Sequence, residues 1–332
     1  MITALTERLG IEVPIIQAAM GGATCPALAA GVSNAGGLGM LVLTSQSADV
    51  IRREVRQTRV LTRRPFGVNL VLVRPQDAQL DVCLDEGVSI VSFFWGDPTR
   101  LAARAHDGGA VVLHTVGSAD DARRAVDHGV DIVVAQGWEA GGHVCSSVAT
   151  LPLTRAVVTA VTPTPVVAAG GITDGHGLAA VLALGAAGAW IGTRFLASEE
   201  AAIHPHYRER LLLAKETDTV YTELFDVGWP NAPHRVLRNK TVDAWEAVGR
   251  PRSGERPGEG EVVATSATRG PIVRYASFTP RADAEGDIDA LALWAGQGVG
   301  LVRRVQTASE IVLEIAEEAR STLRRLADSI DV

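Results

Sequence analysis

Eight short apolar segments recur through the first 195 residues, at intervals of roughly 20–30 residues. Most of them are continuously hydrophobic and do not alternate between apolar and polar side chains. That pattern is typical of strands in a parallel sheet, because both faces of such a sheet are buried. The predicted strands cover residues 15–20, 38–43, 66–71, 90–95, 110–116, 131–136, 166–170 and 189–195.

Segments with helical periodicity separate these strands. Residues 47–61 open with a serine that can cap a helix, and Ile51 and Val55 fall on one face. Residues 118–128 have the same layout, and residues 175–184 are the most apolar of the intervening segments. Eight strands with helices between them predict an α/β protein. The spacing fits a (β/α)8 barrel, also called a TIM barrel, better than a doubly wound sheet.

The pattern changes beyond the last predicted strand. Residues 198–274 contain charged, helix-like stretches and then a segment rich in Gly, Pro, Arg and Glu, which predicts a small helical lid or substrate domain after strand 8. Residues 307–327 form a capped, amphipathic helical pattern. We therefore expect a barrel at 1–197, the helical insertion at 198–274, and a return of the chain to the barrel at 275–332.

Charge and cysteine content limit the partners and the compartment. Acidic residues exceed basic ones, giving a formal net charge of −7, which argues against nucleic acids and anionic membranes as partners. The longest nearly apolar run, residues 177–192, is too short to span a bilayer, and the first residues do not have the pattern of a signal peptide. Cys25, Cys83 and Cys145 are far apart and form no CxxC pair. A cytoplasmic protein without a metal site is therefore expected.

Lysine is nearly absent from the chain. Only Lys215 and Lys240 occur, so residues 1–214 offer no lysine for a Schiff base or for clamping a phosphate. This excludes lysine-dependent aldolase and P-loop chemistry from the barrel region. Any phosphate bound there must be neutralised by backbone dipoles or by arginine.

Glycines follow both of the last two predicted strands. Gly170 and Gly171 end strand 7, and Gly192 with Thr193 interrupts strand 8. In a (β/α)8 barrel the loops after these strands often bind a phosphate, and glycine lets backbone N–H groups approach it closely. Tight turns alone are the alternative explanation for either pair. The presence of both pairs on the expected loops favours a phosphate site.

Two further polar residues end predicted strands. His143 follows Gly141 and Gly142 after strand 6, where an imidazole can act as an acid, a base or a hydrogen-bond donor. Asn69 ends strand 3, where its amide can both donate and accept hydrogen bonds to the edge of a ring. The alternative explanations are that His143 is an ordinary surface histidine and that Asn69 only caps a turn. The His204-Pro205-His206 spacing fits a capped helix start better than a metal site.

Several motifs occur in a fixed order along nearly the whole chain. They are residues 14–21 (PIIQAAMG), 34–39 (NAGGLG), 65–70 (PFGVNL), 141–143 (GGH), 169–172 (AGGI), 192–196 (GTRFL) and 294–297 (WAGQ). In these motifs the chain resembles the nitronate monooxygenase family, formerly called 2-nitropropane dioxygenases. The flavin-dependent enoyl reductases share its fold.

The resemblance implies FMN as the cofactor and assigns roles to individual residues. The active-site histidine of the family corresponds to His143. Asn69 would bond the flavin ring or ribityl chain. Ala19, Met20 and Gly21 would form the turn that passes along the isoalloxazine. Gln136 and Gly141 would line the strand-6 side of the site. The phosphate would be held by Gly170, Gly171, Gly192 and Thr193.

Two positions depart from the family pattern. Many members have an acidic residue where this chain has Gln136, and some have lysine where it has Thr115. Because charge near a flavin ring changes its electronics, these departures bear on the reaction catalysed.

The resemblance leaves three functions open, and a flavin-free lyase on the same barrel is a fourth alternative, for which the scarcity of lysine removes common routes. The first is FMN-dependent oxidation of an alkyl nitronate or nitroalkane by O2 to a carbonyl compound and nitrite, with His143 as hydrogen-bond donor or as base. The second is an enoyl-thioester reductase that uses NAD(P)H, or a related flavin oxidoreductase. The third is a non-catalytic flavoprotein. The expected partners are a small-molecule substrate and O2, and a homodimer is left open.

Overall fold

Parallel strands organise the first part of the chain. The computed structural model describes residues 1–330. The strands up to residue 191 are β1 (Ile15–Gln17), β2 (Gly39–Val42), β3 (Phe66–Val71), β4 (Ile90–Phe94), β5 (Val111–Val116), β6 (Ile132–Gln136), β7 (Gly142–His143), β8 (Val166–Ala169) and β9 (Gly188–Ile191). All except β7 form one eight-stranded sheet in the order β1-β9-β8-β6-β5-β4-β3-β2.

The two ends of this sheet meet. The N–H of Gln17 donates to the carbonyl of Leu38 at 2.9 Å, and the N–H of Leu38 donates to the carbonyl of Ile15 at 2.9 Å. These bonds join β1 to the segment that leads into β2 and close the sheet into a barrel. The predicted (β/α)8 fold is therefore confirmed.

Burial on both faces explains the continuous apolar strands. Ile16, Met40 and Ile90 belong to the cluster inside the barrel, which the side chain of Leu5 also joins. Strand residues that point outward, such as Phe93, pack under the surrounding helices in a second cluster. Successive side chains of a strand point to opposite faces of the sheet. Because both faces are buried here, every position favours an apolar residue, and the strands show no apolar–polar alternation in sequence.

The helices between the strands follow the predicted pattern. The Ser47 hydroxyl accepts from the N–H of Val50, and the Ser118 hydroxyl accepts from the N–H of Asp121, so both serines cap as expected. The helices are α1 (Ala4–Leu9), α2 (Pro26–Asn34), α3 (Ala48–Leu61), α4 (Asp77–Asp85), α5 (Thr99–Asp107), α6 (Ala119–Asp127), α7 (Thr150–Val161), α8 (Gly175–Ala183) and α9 (Thr193–Leu196).

The last predicted strand is shorter than expected. Strand β9 ends at Ile191, and residues 193–196 form the one-turn helix α9 instead of continuing the strand to residue 195. The sequence did not reveal this because Phe195 and Leu196 are buried, so the apolar run continues through the turn. The correction places Gly192 and Thr193 at the junction between strand and helix, at the mouth of the barrel.

The segment between α9 and the final helix, here called the insertion (residues 197–307), contains more strand than predicted. Its helices are α10 (Pro205–Leu213) and α11 (Lys240–Ala247). Strands β10 (Thr219–Thr222) and β11 (His234–Leu237) form a sheet with β7, and a second sheet is formed by β12 (Val262–Ser266), β13 (Gly270–Val273) and β14 (Ala284–Gly286). Because β14 pairs with β12, this sheet crosses the division expected at residue 274.

The final helix, α12 (Ala308–Ile330), lies on the outside of the barrel. Glu318 accepts from the N–H of Gly175 in α8 at 2.7 Å, and the Ser309 hydroxyl donates to the carbonyl of Gly31 in α2 at 2.8 Å. The helix therefore completes the outer layer between these two helices. None of the helices in residues 1–330 is long and apolar enough to cross a membrane.

Candidate active site

A cavity of about 1120 Å³ opens at the carboxyl ends of the barrel strands, roofed by the insertion. Sites in (β/α)8 barrels are built at this end. All the residues that the resemblance assigns to the site line this one cavity: Ala19, Met20, Gly21, Asn69, Gln136, Gly141, His143, Gly170, Gly171, Gly192 and Thr193. The structure thus brings together residues from several different strand ends.

Glycines give one side of the cavity a surface of exposed backbone. Gly170 and Gly171 have φ angles of 111° and 71°, in the region that favours glycine. Gly192 has an ordinary φ, and a Cβ added there would lie 3.4 Å from the Cβ of Ala18, which is normal contact. The fold itself therefore does not require a glycine at position 192. That is the pattern expected where a ligand approaches the backbone.

The C-terminal part of the insertion completes this side. The N–H of Gly296 donates to the Thr193 hydroxyl at 3.0 Å. A Cβ added at Gly141 would lie only 2.4 Å from the nitrogen of Gly296, so the two backbones touch. The Gly141–His143 loop is thereby fixed against the segment that carries the Trp294-Ala295-Gly296-Gln297 motif.

Gln136 holds the histidine loop through both ends of its amide. Its Nε2 donates to the carbonyl of His143 at 3.0 Å, and its Oε1 accepts from the N–H of Cys145 at 3.2 Å. A carboxylate at this position could accept from Cys145 but could not donate to His143. The departure from the acidic family pattern therefore has a local consequence, because only an amide can make both contacts.

Asn69 is buried at the end of β3, with 5% of its surface exposed. Its Nδ2 lies 3.3 Å from both the carbonyl and the hydroxyl of Ser92 on β4, to which it donates. These contacts fix the orientation of the amide at the cavity wall. Thr115, on β5, also lines the cavity and brings no charge to it.

Aromatic rings surround His143. The imidazole is stacked on Trp229, with ring centroids 3.8 Å apart and planes inclined by 24°. The ring centroid of Trp294 lies 5.3 Å from that of His143, and the centroid of Trp95 lies 6.4 Å away with its plane inclined by 84°. The Nε2 atom of His143 is buried and has no hydrogen-bond partner in the part of the chain that the structure describes. A buried polar atom of this kind usually has a partner, which a bound ligand can supply.

This environment keeps His143 neutral. Burial and the neighbouring His234 lower the pKa of His143 from 6.5 to about 3. His234 is itself buried, and its pKa is lowered to about 4, mainly by burial. The Nε2 of His234 accepts from the N–H of Phe225 at 3.2 Å, so its Nδ1 carries the proton and donates to the carbonyl of Ala232 at 2.8 Å. Two neutral imidazoles thus lie side by side.

The sequence did not single out Trp229. It lies in a Gly-Trp-Pro turn far along the chain from His143, and isolated aromatic residues in turns carry no pattern of their own. Trp294 does have a signal, since it begins one of the motifs that carry the resemblance. Its indole N–H donates to the Thr279 hydroxyl at 3.0 Å, which in turn donates to the carbonyl of Gly21 at 2.5 Å. The insertion is thereby tied to the β1 side of the cavity.

Other histidines and carboxylates have structural contacts. The His204 Nδ1 accepts from the N–H of His206, so it caps α10 as predicted. Asp174, His176 and Glu318 lie close enough to hold a metal ion, but Asp174 caps α8 and Glu318 bonds both Gly175 and His176. These contacts account for the cluster without a metal.

The fold and the cavity together define an enzyme with a (β/α)8 barrel, whose cofactor-sized site combines a glycine-lined side with a neutral histidine whose Nε2 atom is buried. A family model described as nitronate monooxygenase matches residues 2–79 and 74–318. The chain belongs to the nitronate monooxygenase family. It is an oxidoreductase, and its family and structural neighbours are flavoproteins.

Relatives with different activities are similar to the chain. It is 34% identical to a nitronate monooxygenase from Paraburkholderia phytofirmans, covering 97% of this chain and 96% of that one. It is 39% identical to a (3aS,4S,5R,7aS)-5-hydroxy-7a-methyl-1-oxo-octahydro-1H-indene-4-carboxyl-CoA dehydrogenase from Mycobacterium tuberculosis, over 75% of this chain and 70% of the relative. The structure of FabK from Thermotoga maritima superimposes with a TM-score of 0.84 at 34% identity, covering 99% of both chains.

Proposed function

We propose that the protein binds FMN in this cavity and oxidises an alkyl nitronate with O2. In the balanced reaction, two nitronates and one O2 would give two carbonyl compounds and two nitrites. The observation that carries the proposal is the buried Nε2 of His143, which has no partner among the described residues and lies in a cavity that the family uses for flavin. Bound FMN would supply the electron transfer between the nitronate and O2.

The residues present fit FMN. Gly171 and Gly192 leave backbone open where a phosphate needs it, whereas Gly170 packs closely against Thr150 and Gly137. The Thr193 hydroxyl still has a proton to donate, since it accepts from Gly296. Asn69 would face the ring or the ribityl chain with an amide that Ser92 holds in place. The cavity of about 1120 Å³ exceeds the usual range for small-ligand pockets, so it has room for a cofactor and a substrate.

His143 would act as a hydrogen-bond donor and not as a base. A general base works best when its pKa lies near the operating pH, and the pKa of about 3 makes the imidazole a weak proton acceptor. A neutral imidazole still has one N–H, which can donate to the negatively charged nitro group of a nitronate. Of the two roles that the sequence left open for His143, the structure favours donation.

The donor role of His143 determines whether the enzyme should use the ionised nitronate or the neutral nitroalkane. The enzyme should use a pre-ionised nitronate and turn over the corresponding neutral nitroalkane poorly, because His143, with its lowered pKa, would be a poor acceptor for the C–H proton. The test is kcat/KM for propyl nitronate and for nitropropane at one pH, with wild type and with His143→Ala. Loss of one hydrogen bond to a charged group should lower nitronate turnover by about 10–100-fold, with FMN content unchanged. Equal use of both substrate forms by the wild type would refute the donor role.

A second candidate is oxidoreduction of an acyl thioester with NAD(P)H. It is favoured by the 39% identity to the carboxyl-CoA dehydrogenase over 75% of this chain. Anaerobic mixing of the purified enzyme with propyl nitronate, and separately with NADPH, distinguishes the two candidates. Loss of flavin absorbance with the nitronate alone supports the first, and rapid loss with NADPH supports the second.

A further inference from the structure

The charged residues of the cavity wall are mostly basic. Four arginines and one glutamate line it, namely Arg53, Arg74, Arg269, Arg281 and Glu54. The chain as a whole carries a net charge of −7. An arginine-rich wall in an acidic protein creates a local positive potential, which attracts anionic ligands into the cavity.

Three of these four arginines have no ion-pair partner within residues 1–330. Arg53 forms an ion pair with Glu54 at 3.2 Å. Within residues 1–330, the guanidinium groups of Arg74, Arg269 and Arg281 form no ion pair and no side-chain hydrogen bond. That of Arg269 lies 5.3 Å from the ring centroid of Phe278. All three residues are exposed. Three arginines that line the cavity without a carboxylate partner among the described residues are available to an anionic ligand.

The arginines are spread around the cavity, and Arg74 lies farthest from the glycine-lined side in strand order. Arg74 follows β3, and β3 is four strands from β8 in either direction around the closed barrel. Arg269 lies in the turn between β12 and β13, and Arg281 precedes β14, both in the insertion. The phosphate site proposed for FMN, at Gly171 and Gly192, therefore lies across the barrel from Arg74. Arg281 pairs through its backbone with Ile203, shortly after α9, and lies nearer to the glycine-lined side. The arginines thus add cationic groups to the cavity wall beyond the glycines proposed to hold the FMN phosphate.

We propose that Arg74, Arg269 and Arg281 bind the phosphates of a nucleotide-bearing substrate whose reactive end reaches His143. The shared chemistry is a pyrophosphate with a further ribose phosphate, carried either by a coenzyme A thioester or by a nicotinamide dinucleotide phosphate. Arginine suits these groups because its planar fork binds phosphate oxygens in pairs. One continuous cavity contains the arginines, Phe94 and His143, so a long ligand can bind phosphates at the rim while its other end lies among the aromatic rings. The inference rests on the thioester candidate above and names where its substrates are held.

The test is calorimetric titration of the flavin-loaded enzyme with coenzyme A and, separately, with NADP⁺, at low and at moderate salt. The variants are Arg74→Ala/Arg269→Ala/Arg281→Ala together and the control Arg63→Ala. Arg63 is also exposed, but it precedes β3 and so lies at the opposite end of the barrel. Because the three replaced side chains make no hydrogen bonds within residues 1–330, the variant should keep its fold and its flavin, which absorbance and thermal melting check.

Binding of the recognised nucleotide should weaken about tenfold or more for each arginine–phosphate interaction that the substitutions remove, and should change less than about twofold in Arg63→Ala, which removes none of them. If the triple substitution weakens the binding of coenzyme A, the site is assigned to a thioester substrate. If it weakens the binding of NADP⁺, the site is assigned to the reductant. Unchanged affinity in the triple variant, or binding of neither nucleotide to the wild type, would overturn the proposal. The titration measures the heat of binding and needs no turnover. It therefore tests the arginine site even if the enzyme catalyses neither of the proposed reactions.

Discussion

The indole of Trp229 covers the imidazole of His143, with ring centroids 3.8 Å apart. The two residues come from different parts of the molecule, since His143 follows β6 of the barrel and Trp229 lies in the insertion. Burial under this ring contributes to the lowered pKa of His143, because an apolar neighbour disfavours the charged form. The insertion thus sets the protonation state of a residue that the barrel positions.

Replacement of Trp229 by alanine should raise the pKa of His143. Opening the stacked face to water returns part of the solvation of the imidazolium, so the pKa should move from about 3 toward the ordinary 6.5. Titration of the His143 ring protons by NMR measures this. Trp229→Phe, which retains a ring, is the control and should leave the pKa low. A ring that titrates identically in the wild type and in Trp229→Ala would show that other neighbours cause the shift.

Gln136 should be required for the geometry of His143 and not for the stability of the barrel as a whole. Gln136→Leu removes two hydrogen bonds to the histidine loop, with a cost of about 1–3 kcal/mol in the free energy of unfolding. We expect kcat to fall more than FMN content, because the loop, and not the phosphate side, loses its support. Kinetics and flavin absorbance measured together test this.

The matched control for this variant is Gln79→Leu. The Gln79 amide also donates to a backbone carbonyl, that of Gln46, but lies on α4 outside the cavity. Gln136→Glu should be intermediate, since a carboxylate can still accept from Cys145. Full activity in Gln136→Leu would mean that Gly296 and the neighbouring backbone fix the loop without it.

The barrel could be predicted from the sequence because its physics is local and repeated. Each strand is apolar on both faces, and capping serines such as Ser47 and Ser118 mark the helix starts. Residues at the strand ends could also be placed, since all strands of a parallel barrel point the same way. That single rule brought Asn69, His143 and Gly192 to one cavity.

The insertion could not be predicted in the same way. Its strands are short, and β12 has both exposed and buried residues without regular alternation, so polarity does not identify them. Strand β11 pairs with the two-residue strand β7 of the histidine loop, a contact between segments that are distant in sequence. The positions of Trp229 over His143 and of Arg269 and Arg281 at the cavity follow from long-range packing of the insertion.

Gly192 should be needed for flavin binding and not for folding. An added Cβ would make only normal contact with Ala18, so Gly192→Ala and Gly192→Val should both fold. The added methyl groups would occupy the space next to the backbone and weaken flavin binding about tenfold or more, through loss of charge-assisted hydrogen bonds. Valine should act more strongly than alanine. Flavin-to-protein absorbance ratios give the occupancy, and a fully loaded Gly192→Val would place the phosphate elsewhere.

The stability of the protein should fall as the pH is lowered from 6.5 to 5, because of its buried histidines. Burial lowers the pKa of His114 to about 4, that of His143 to about 3 and that of His234 to about 4. In the unfolded chain each titrates near 6.5, so between these values the unfolded state binds more protons than the folded state. Stability is therefore complete above pH 6.5 and decreases as the pH falls toward the folded pKa values.

His114 provides the cleanest measurement of this effect, because its ring is buried, the residue does not line the cavity, and its Nδ1 has no partner among the described residues. Over the 1.5 pH units between 6.5 and 5, a single such histidine accounts for up to about 2 kcal/mol of the free energy of unfolding. His114→Phe keeps a ring in the same space and removes the titration. Urea unfolding at pH 8, 6.5 and 5 should show a loss of stability that is smaller in His114→Phe by about this amount. Equal losses in the two proteins would mean that His114 gains its proton without unfolding of the barrel.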